Sequence, residues 1–207
     1  GADYPLDFNM WLYNNDNPSS GYNPERTKEI LQSSGWEYTY GYWQKKENYK
    51  TLKLSFTLTV SNDNQQRKQA AEIIKQNLEA IGIPIKISYV SDDNYKSALS
   101  GKNYEIILAG TYIGLSPELT TYFGDNNVAN YENEDVKNIL NDLSSISEED
   151  KIKEKYNKVY EFYKNDTPYK SLYFNKETII YSSNLKGEIT PNLYNIYYNI
   201  ENWYREF

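Results

Sequence analysis

Apolar and polar residues alternate along two stretches of the chain, and a helical repeat separates those stretches. Apolar side chains occupy every second position from Leu52 to Val60 and again from Ile83 to Tyr89. Between them, Ala70, Ile74, Leu78 and Ile81 recur at helical spacing. A third apolar run begins at Tyr104. The pattern predicts strands at 52–60, 83–89 and 104–110, with a helix at 64–81 crossing between the first two.

Capping residues mark where the predicted helices begin and end. Asn62, followed by Gln65, predicts a capping box at the start of the 64–81 helix, and Gly82 predicts its end. A shorter helix is predicted at 92–100, with Gly101 as its stop. The order strand, helix, strand, helix, strand is typical of an α/β domain.

The segment before this unit contains one predicted helix among many aromatic residues. Asn23 is placed to cap that helix, Pro24 suits its first position and Gly35 ends it. Trp36 follows the glycine directly, and we expect it to pack back on the helix as a structural residue. The amino terminus, Gly1-Ala2-Asp3, has no initiator Met and no signal-peptide pattern, so we expect the chain to begin inside a longer protein.

Two further helices and two strands are predicted downstream. The first helix spans 132–143, and Ser147 predicts a capping box for the second. The second helix carries an apolar stripe that we expect to be core: Ile152, Tyr156, Val159, Tyr160 and Tyr163. Strands are then predicted at 171–174 and 178–181.

The loop after the third predicted strand, 110–117, is the candidate ligand-binding segment. The carboxyl ends of parallel strands face one crevice, where α/β proteins bind their ligands. The loop holds no acid, base or nucleophile, which favours binding over catalysis. The candidate ligand-binding residues are Thr111, Tyr112, Gly114, Ser116 and Asn62. In the alternative reading, Thr111 and Tyr112 merely end a strand and Ser116 caps a helix.

Composition excludes several classes of function. The chain has no His and no Cys, which removes Cys- and His-based nucleophilic catalysis and most zinc chemistry. We therefore expect no cofactor, no resident metal and no enzyme activity, with carboxylate-pair glycosidase chemistry as the enzymatic alternative. A net charge of −7 for the whole chain argues against nucleic acid or an anionic membrane surface as a partner. The 23 tyrosines suit a recognition surface, but the matching wealth of Asn, Lys and Ile also fits an AT-biased genome.

Seven short segments, in order, resemble the extracellular solute-binding proteins of peptide and nickel ABC importers, known as family 5. They are Tyr22–Trp36, Leu52–Val60, Ala70–Ile74, Leu78–Ile83, Gly101–Glu105, Thr167–Lys176 and Leu185–Gly187. The resemblance covers nearly the whole chain. It implies a periplasmic-binding-protein-like α/β lobe with a central mixed sheet flanked by helices, part of a type II solute-binding fold. It further implies that residues 1–176 are the second lobe of a two-lobed protein and that 177–207 return to the first lobe.

One position departs from the family pattern. In many of the family's peptide binders, an aspartate a few residues after the third strand pairs with the α-ammonium group of the peptide. Gly114 stands at that place here, and 110–117 contains no acidic residue. A buried ammonium group without a partner costs several kcal/mol. The departure therefore implies that the peptide amino terminus is bound elsewhere or that the ligand is not an ordinary short peptide.

The resemblance implies the ligand-binding lobe of an importer's receptor. The expected ligand is an oligopeptide or a peptide-like solute, and the expected partner is an ABC permease in the membrane. The full-length protein is expected to be an extracellular, lipid-anchored monomer at the cell surface. A sensor or adaptor lobe with the same fold and no transport role is the alternative.

Overall fold

The computed structural model describes residues 6, 10–13, 21–111, 119–175, 178–192 and 194–206. The chain divides into two units. One unit comprises Pro18–Thr111 and Thr121–Asn133, and the other comprises Gly1–Asn17, Tyr112–Thr120 and Glu134–Phe207. No helix among the described residues combines the length and apolar character that a bilayer crossing needs.

The elements before residue 133 follow the predicted α/β order with an added hairpin sheet. In chain order they are α1 (Pro24–Ser33), β1 (Glu37–Thr39), β2 (Tyr42–Glu47), β3 (Lys50–Lys53), β4 (Phe56–Ser61), α2 (Gln65–Glu79), β5 (Ile85–Val90), α3 (Asp92–Gly101), β6 (Ile106–Ile107) and α4 (Thr120–Phe123). Strands β1, β2 and β3 form one antiparallel sheet. Strands β5, β4 and β6 form a second sheet in that order, and all of its pairs are parallel.

The parallel sheet confirms the predicted strand–helix–strand unit. Leu58 of β4 lies opposite Ile87 of β5 on one side and Ile106 of β6 on the other. Helix α2 connects β4 to β5, as the change from alternating to helical periodicity predicted. Strand β4 is central, and Leu58 and Val60 are almost fully buried.

The predicted strand at 52–60 is wrong in one respect, because it is two strands. Leu52 pairs with Lys45 in the antiparallel sheet, whereas the residues from Phe56 onward pair in the parallel sheet. The backbone N–H of Leu54 donates to Trp43, and that of Phe56 donates to Pro84. The chain therefore changes sheets at Ser55, although the alternation continues in phase across the change.

Trp43 joins the antiparallel sheet to the core of the parallel sheet. Its side chain is 1% exposed, and its Nε1–H donates to the carbonyl oxygen of Ile81 over 2.7 Å. The Tyr38 ring, 5.3 Å from the Trp43 ring, lies directly against Gly82, whose φ of +82° favours glycine. The buried core residues here are Trp43, Leu58, Val60, Ala71, Ile81, Ile83, Ile85 and Leu108. Trp36 packs against this cluster, which confirms its structural role.

The ends of α1 agree with the predictions, and so does the stop of α2 at Gly82, which has a positive φ just after the helix; the predicted starts of α2 and α6 differ. The Asn23 side chain accepts from the Arg26 N–H, so the predicted cap of α1 is confirmed. The capping box at Asn62 is wrong, because Asn64 is the N-cap of α2 and accepts from the Arg67 N–H over 2.8 Å. Gly101, the predicted stop of α3, is the last residue of that helix, and Lys102 follows it as a C-cap in the left-handed conformation.

The second unit contains α5 (Glu134–Leu143), α6 (Glu149–Asp166), β7 (Leu185–Gly187) and β8 (Trp203–Arg205). Helices α5 and α6 contact each other, and Lys155 pairs with Asp142 between them over 2.6 Å. Tyr156, Val159, Tyr160 and Tyr163 of α6 are buried, which confirms the predicted core stripe. The capping box at Ser147 is wrong, because Glu148 is the N-cap and makes no side-chain capping bond.

The strands predicted at 171–174 and 178–181 are wrong. These residues carry no strand in the structure, and Ile180 is 92% exposed. Apolar, β-branched residues favour an extended chain, but a strand also needs a neighbour that completes its hydrogen-bond ladder. The only strand pair in the described part of this second unit is the short antiparallel pair of β7 and β8.

Candidate functional site

The carboxyl ends of the three parallel strands meet at one edge of the sheet. Strand β4 ends at Ser61 and leads into α2, β5 ends at Val90 and leads into α3, and β6 leads into the segment 108–111. Parallel pairing places these three connections side by side. The edge predicted as the ligand face is thus built from two helix starts and one loop.

Five residues at this edge form what we call the carboxyl-edge cluster: Arg67, Tyr95, Gly110, Thr111 and Tyr122. The guanidinium carbon of Arg67 lies 5.8 Å from the centroid of the Tyr95 ring, a distance that allows a cation–π interaction. The Tyr95 hydroxyl donates to the carbonyl oxygen of Leu108 over 3.1 Å. This bond ties the start of α3 to the segment that follows β6.

Gly110 allows the guanidinium group of Arg67 to lie against the backbone. A methyl group at this position would stand 2.6 Å from a terminal nitrogen of Arg67. Gly110 is not in the left-handed region, so its backbone does not itself require glycine. The absence of a side chain here therefore serves the placement of Arg67.

Thr111 connects the loop to α4 through Tyr122. The two side chains form a hydrogen bond, and Tyr122 is partly buried. Burial raises the pKa of Tyr122, and the Thr111 hydrogen bond and the charge of Arg67 oppose that rise. Burial likewise raises the pKa of Tyr95, and Arg67 again opposes it. Both phenols are therefore neutral hydrogen-bonding groups at physiological pH.

Arg67 is the chemically distinctive member of the cluster. It is partly buried, and its guanidinium group makes no ion pair with any residue that the structure describes. It also lies in the first turn of α2, where the helix dipole disfavours a cation by about 0.3–1 kcal/mol. A positive charge in this position costs stability, and so it suits an anionic group supplied by a ligand.

The predicted site residues fall into three groups. Thr111 lies in the cluster. Asn62 follows β4 at the same edge, where its N–H donates to the carbonyl oxygen of Val90 over 2.8 Å and its side chain is exposed. Tyr112, Gly114 and Ser116 lie outside the described residues. A ligand-binding role for all five stays a prediction.

Arg67, Tyr95 and Tyr122 were not predicted as site residues. One signal for Arg67 was present in the sequence, because a basic residue in the first turn of a predicted helix opposes the dipole. Tyr95 and Tyr122 carried no such signal among 23 tyrosines. No group of three or more acidic residues that could hold a metal ion occurs in the described part of the chain.

Comparisons with known proteins give a consistent picture. Residues 1–133 match the family model described as bacterial extracellular solute-binding proteins, family 5 Middle. The oligopeptide-binding protein AppA of Bacillus subtilis is 25% identical over 209 residues, which cover 97% of this chain and 37% of AppA. The chain thus spans less than half the length of this relative.

Solved structures share the fold. The structure of B. subtilis AppA in complex with a nonapeptide matches with a TM-score of 0.73 at 24% identity, covering 100% of this chain and 42% of AppA. The Thermus thermophilus oligopeptide-binding protein with a pentapeptide matches at 0.70 and 14% identity, covering 81% and 32%. NikZ of Campylobacter jejuni with Ni(L-His) matches at 0.66 and 18% identity, covering 94% and 41%. The predicted fold class is confirmed.

Proposed function

Because this chain belongs to the family 5 bacterial extracellular solute-binding proteins, we propose that it is the ligand-binding lobe of an ABC importer's receptor. The proposed ligand is a peptide or a peptide-like solute. AppA, the relative that matches along 97% of the chain, is an oligopeptide-binding protein, which supports this choice. The proposed role is binding without catalysis.

The guanidinium group of Arg67, which forms no ion pair with any described residue, is the observation that carries the proposal. Arginine binds carboxylate groups through a planar, two-pronged set of donors. A peptide offers such a group at its carboxyl terminus and at acidic side chains. We place a carboxylate of the ligand against Arg67, with the hydroxyl groups of Tyr122 and Thr111 nearby for additional hydrogen bonds.

The charge of Arg67 is the opposite of the one that many of the family's peptide binders place near the position of Gly114. Without an aspartate in 110–117, the loop offers no charge partner for a peptide ammonium group. Arg67 supplies a partner of the opposite sign at the same edge of the sheet. The ligand is therefore proposed to be held here through its acidic end, with Tyr112, Gly114 and Ser116 contributing contacts from the loop.

The proposed organisation of the full protein is two-lobed. Residues 1–176 form the second lobe, and 177–207 return to the first lobe. Closure of two lobes over a ligand excludes water and lets each lobe supply part of the site. The full-length protein is proposed to be a lipid-anchored monomer at the cell surface that delivers its ligand to a membrane permease.

Peptide titrations of the 207-residue chain test this function. We expect tri- to pentapeptides to bind more weakly than about 1 μM, since most of the proposed first lobe, which would supply the rest of the site, lies outside these 207 residues. In NMR spectra at millimolar peptide, shifts are expected at Arg67, Thr111 and Tyr122. The same peptide with an amidated carboxyl terminus should bind about 10-fold more weakly. Equal binding of acid and amide, or shifts confined to other surfaces, would contradict the proposal.

A methyl group at Gly110 is expected to weaken carboxylate binding without unfolding the chain. Gly110→Ala pushes the guanidinium group of Arg67 away from the backbone, and the flexible arginine can move. We expect affinity for the peptide acid to fall about fivefold, with stability unchanged within about 0.5 kcal/mol. Gly101→Ala is the matched control, because a methyl group there meets nothing within 4 Å. Equal affinities of the two variants would refute the placement of Arg67.

The segment 177–207 is expected to open before α2 in hydrogen exchange. Many of its aromatic and β-branched side chains are exposed, among them Ile180, Ile196, Tyr197, Ile200 and Tyr204. Such a surface is unusual for a solvated segment and fits one whose packing partner is another lobe. Exchange measured by mass spectrometry checks this. Protection of 178–206 equal to that of α2 would place the lobe boundary elsewhere than near 176.

A further inference from the structure

The hairpin of β2 and β3 concentrates positive charge on an acidic chain. It runs from Tyr42 to Lys53 and contains four lysines and one glutamate, whereas the whole chain has a net charge of −7. Lys45 donates to the carbonyl oxygen of Ser34 at the end of α1, over 2.9 Å. The other three lysines, Lys46, Lys50 and Lys53, are exposed.

Within the described part of the chain, these three lysines have no carboxylate at ion-pair distance, unlike nine other lysines. Nine lysines elsewhere lie 2.6–3.9 Å from a carboxylate: Lys28, Lys75, Lys96, Lys137, Lys151, Lys155, Lys158, Lys164 and Lys186. Lys46, Lys50 and Lys53 form no ion pair with any described residue. Lys53 instead lies 4.3 Å from the centre of the Tyr42 ring. Lys50 lies opposite Glu47 in the register of the hairpin, whereas Lys46 and Lys53 lie opposite Thr51 and Gln44. The hairpin therefore carries a net positive charge that an anionic partner can meet.

The tip of the hairpin carries a fully exposed aromatic side chain in a strained backbone. Asn48 and Tyr49 form the turn with φ of 47° and 64°, and Tyr49 is fully exposed. Left-handed backbone disfavours a residue with a bulky side chain. The neighbouring turn between β1 and β2 has Gly41 at the matching second position, with φ of +87°. Tyr49 thus costs stability at a position where glycine would not.

We propose that this hairpin contacts the surface of a bilayer containing anionic lipids. Lysines flanking an exposed tyrosine match the headgroup region, which takes up cations and the amphipathic rings of tyrosine. A stable protein interface draws on about 20–30 residues from each side, which is more than the 12 positions from Tyr42 to Lys53. A charged lipid surface can bind the hairpin without a surface of complementary shape. The contact is weak and orients the protein beside the membrane.

Vesicle binding by the 207-residue chain tests the proposal. Sedimentation with phosphatidylcholine vesicles, with and without phosphatidylglycerol, should show binding only when phosphatidylglycerol is present. Binding should weaken with added salt, because screening shortens the reach of the charges. Each lysine near an anionic surface contributes about fivefold to partitioning. The triple variant K46Q/K50Q/K53Q is therefore expected to bind about 100-fold more weakly.

A charge-matched triple variant controls for net charge. K28Q/K75Q/K96Q removes the same number of charges from α1, α2 and α3, where the lysines are paired. It should bind vesicles within about threefold of the unchanged chain, since these lysines are not part of the hairpin. All six positions are on the surface, so circular dichroism should show a native fold for both variants. Equal losses in the two triple variants would overturn the proposal.

Tyr49→Gly separates a binding role from a structural one. Glycine relieves the left-handed strain, so the melting temperature should rise by about 2 °C. Partitioning into phosphatidylglycerol vesicles should nevertheless fall, because the aromatic ring is lost. A variant with unchanged partitioning would overturn the proposed role of the tip. Binding of the hairpin to polyglutamate with none to the vesicles would assign it to an acidic protein and overturn the lipid assignment.

Discussion

Replacing Trp43 with alanine is expected to lower the free energy of unfolding by about 3–5 kcal/mol. The indole ring is 1% exposed and packs into the core cluster with Leu58 and Ile81. Its removal leaves a cavity and also removes the hydrogen bond to Ile81. Urea denaturation followed by circular dichroism measures the change, and the expected loss is large for a protein of this size.

Two further variants interpret the loss of stability of Trp43→Ala: one isolates the hydrogen bond of the indole ring, and the other is a surface control. Trp43→Phe keeps most of the ring but leaves the Ile81 carbonyl oxygen without its donor, so a loss of about 1–3 kcal/mol is expected. Tyr22→Ala removes an aromatic side chain that is 69% exposed and should change stability by less than about 0.5 kcal/mol. A Trp43→Ala loss no greater than that of Tyr22→Ala would show that Trp43 does not join the two sheets.

Replacing Arg67 with glutamine is expected to weaken binding of a peptide acid about 10–100-fold. The range reflects hydrogen bonds between charged groups, which contribute about 1.5–3 kcal/mol each. The same variant should retain or gain stability, since it removes a cation from the positive end of α2. Opposite signs for binding and stability distinguish a ligand-binding residue from a structural one. Calorimetry with the full-length protein and thermal unfolding of the 207-residue chain give the two quantities.

Two control variants separate the effect of the charge of Arg67 from the effect of its position. Arg67→Lys keeps the charge but loses the planar pair of donors, so an intermediate loss is expected. Arg26→Gln removes an arginine that is paired with Glu29 on the exposed side of α1 and should leave affinity unchanged. An amidated peptide should lose little further affinity when Arg67 is replaced. If Arg67→Gln weakens acid and amide equally, the carboxylate is not bound at Arg67.

The sequence predicted the strand–helix–strand unit because each of its elements buries a face with its own period. Alternating residues in 83–89 and helical spacing from Ala70 to Ile81 each leave a repeated pattern of apolar positions. The observed elements β5 and α2 follow these patterns closely. The predicted and observed elements agree best where the burial of one face contributes most to the stability of the element.

The split between β3 and β4 could not be predicted from the same pattern. Alternation runs unbroken from Leu52 to Val60, because both strands place apolar residues in phase. What separates them is the choice of hydrogen-bonding partner on either side of Ser55. A partner strand is a tertiary property. For the same reason, apolar runs at 171–174 and 178–181 were predicted as strands and form none.

The choice of cap at α2 shows a limit of local rules. Asn62 and Asn64 are both good capping residues, and each is followed by polar residues. Asn62 instead extends the ladder of β4, where its N–H donates to Val90 of the neighbouring strand. That competing bond belongs to the sheet, so the helix begins two residues later than the capping box predicted.

By itself, the sequence determined the family, the α/β class and the edge of the sheet at which the candidate site lies. These follow from periodicity and from the order of motifs, both of which can be identified in the sequence without knowledge of any contact. Only the tertiary structure decided which side chains meet at that edge. Arg67, Tyr95 and Tyr122 come from three separate elements, and they converge because parallel pairing brings the starts of α2 and α3 beside the segment after β6.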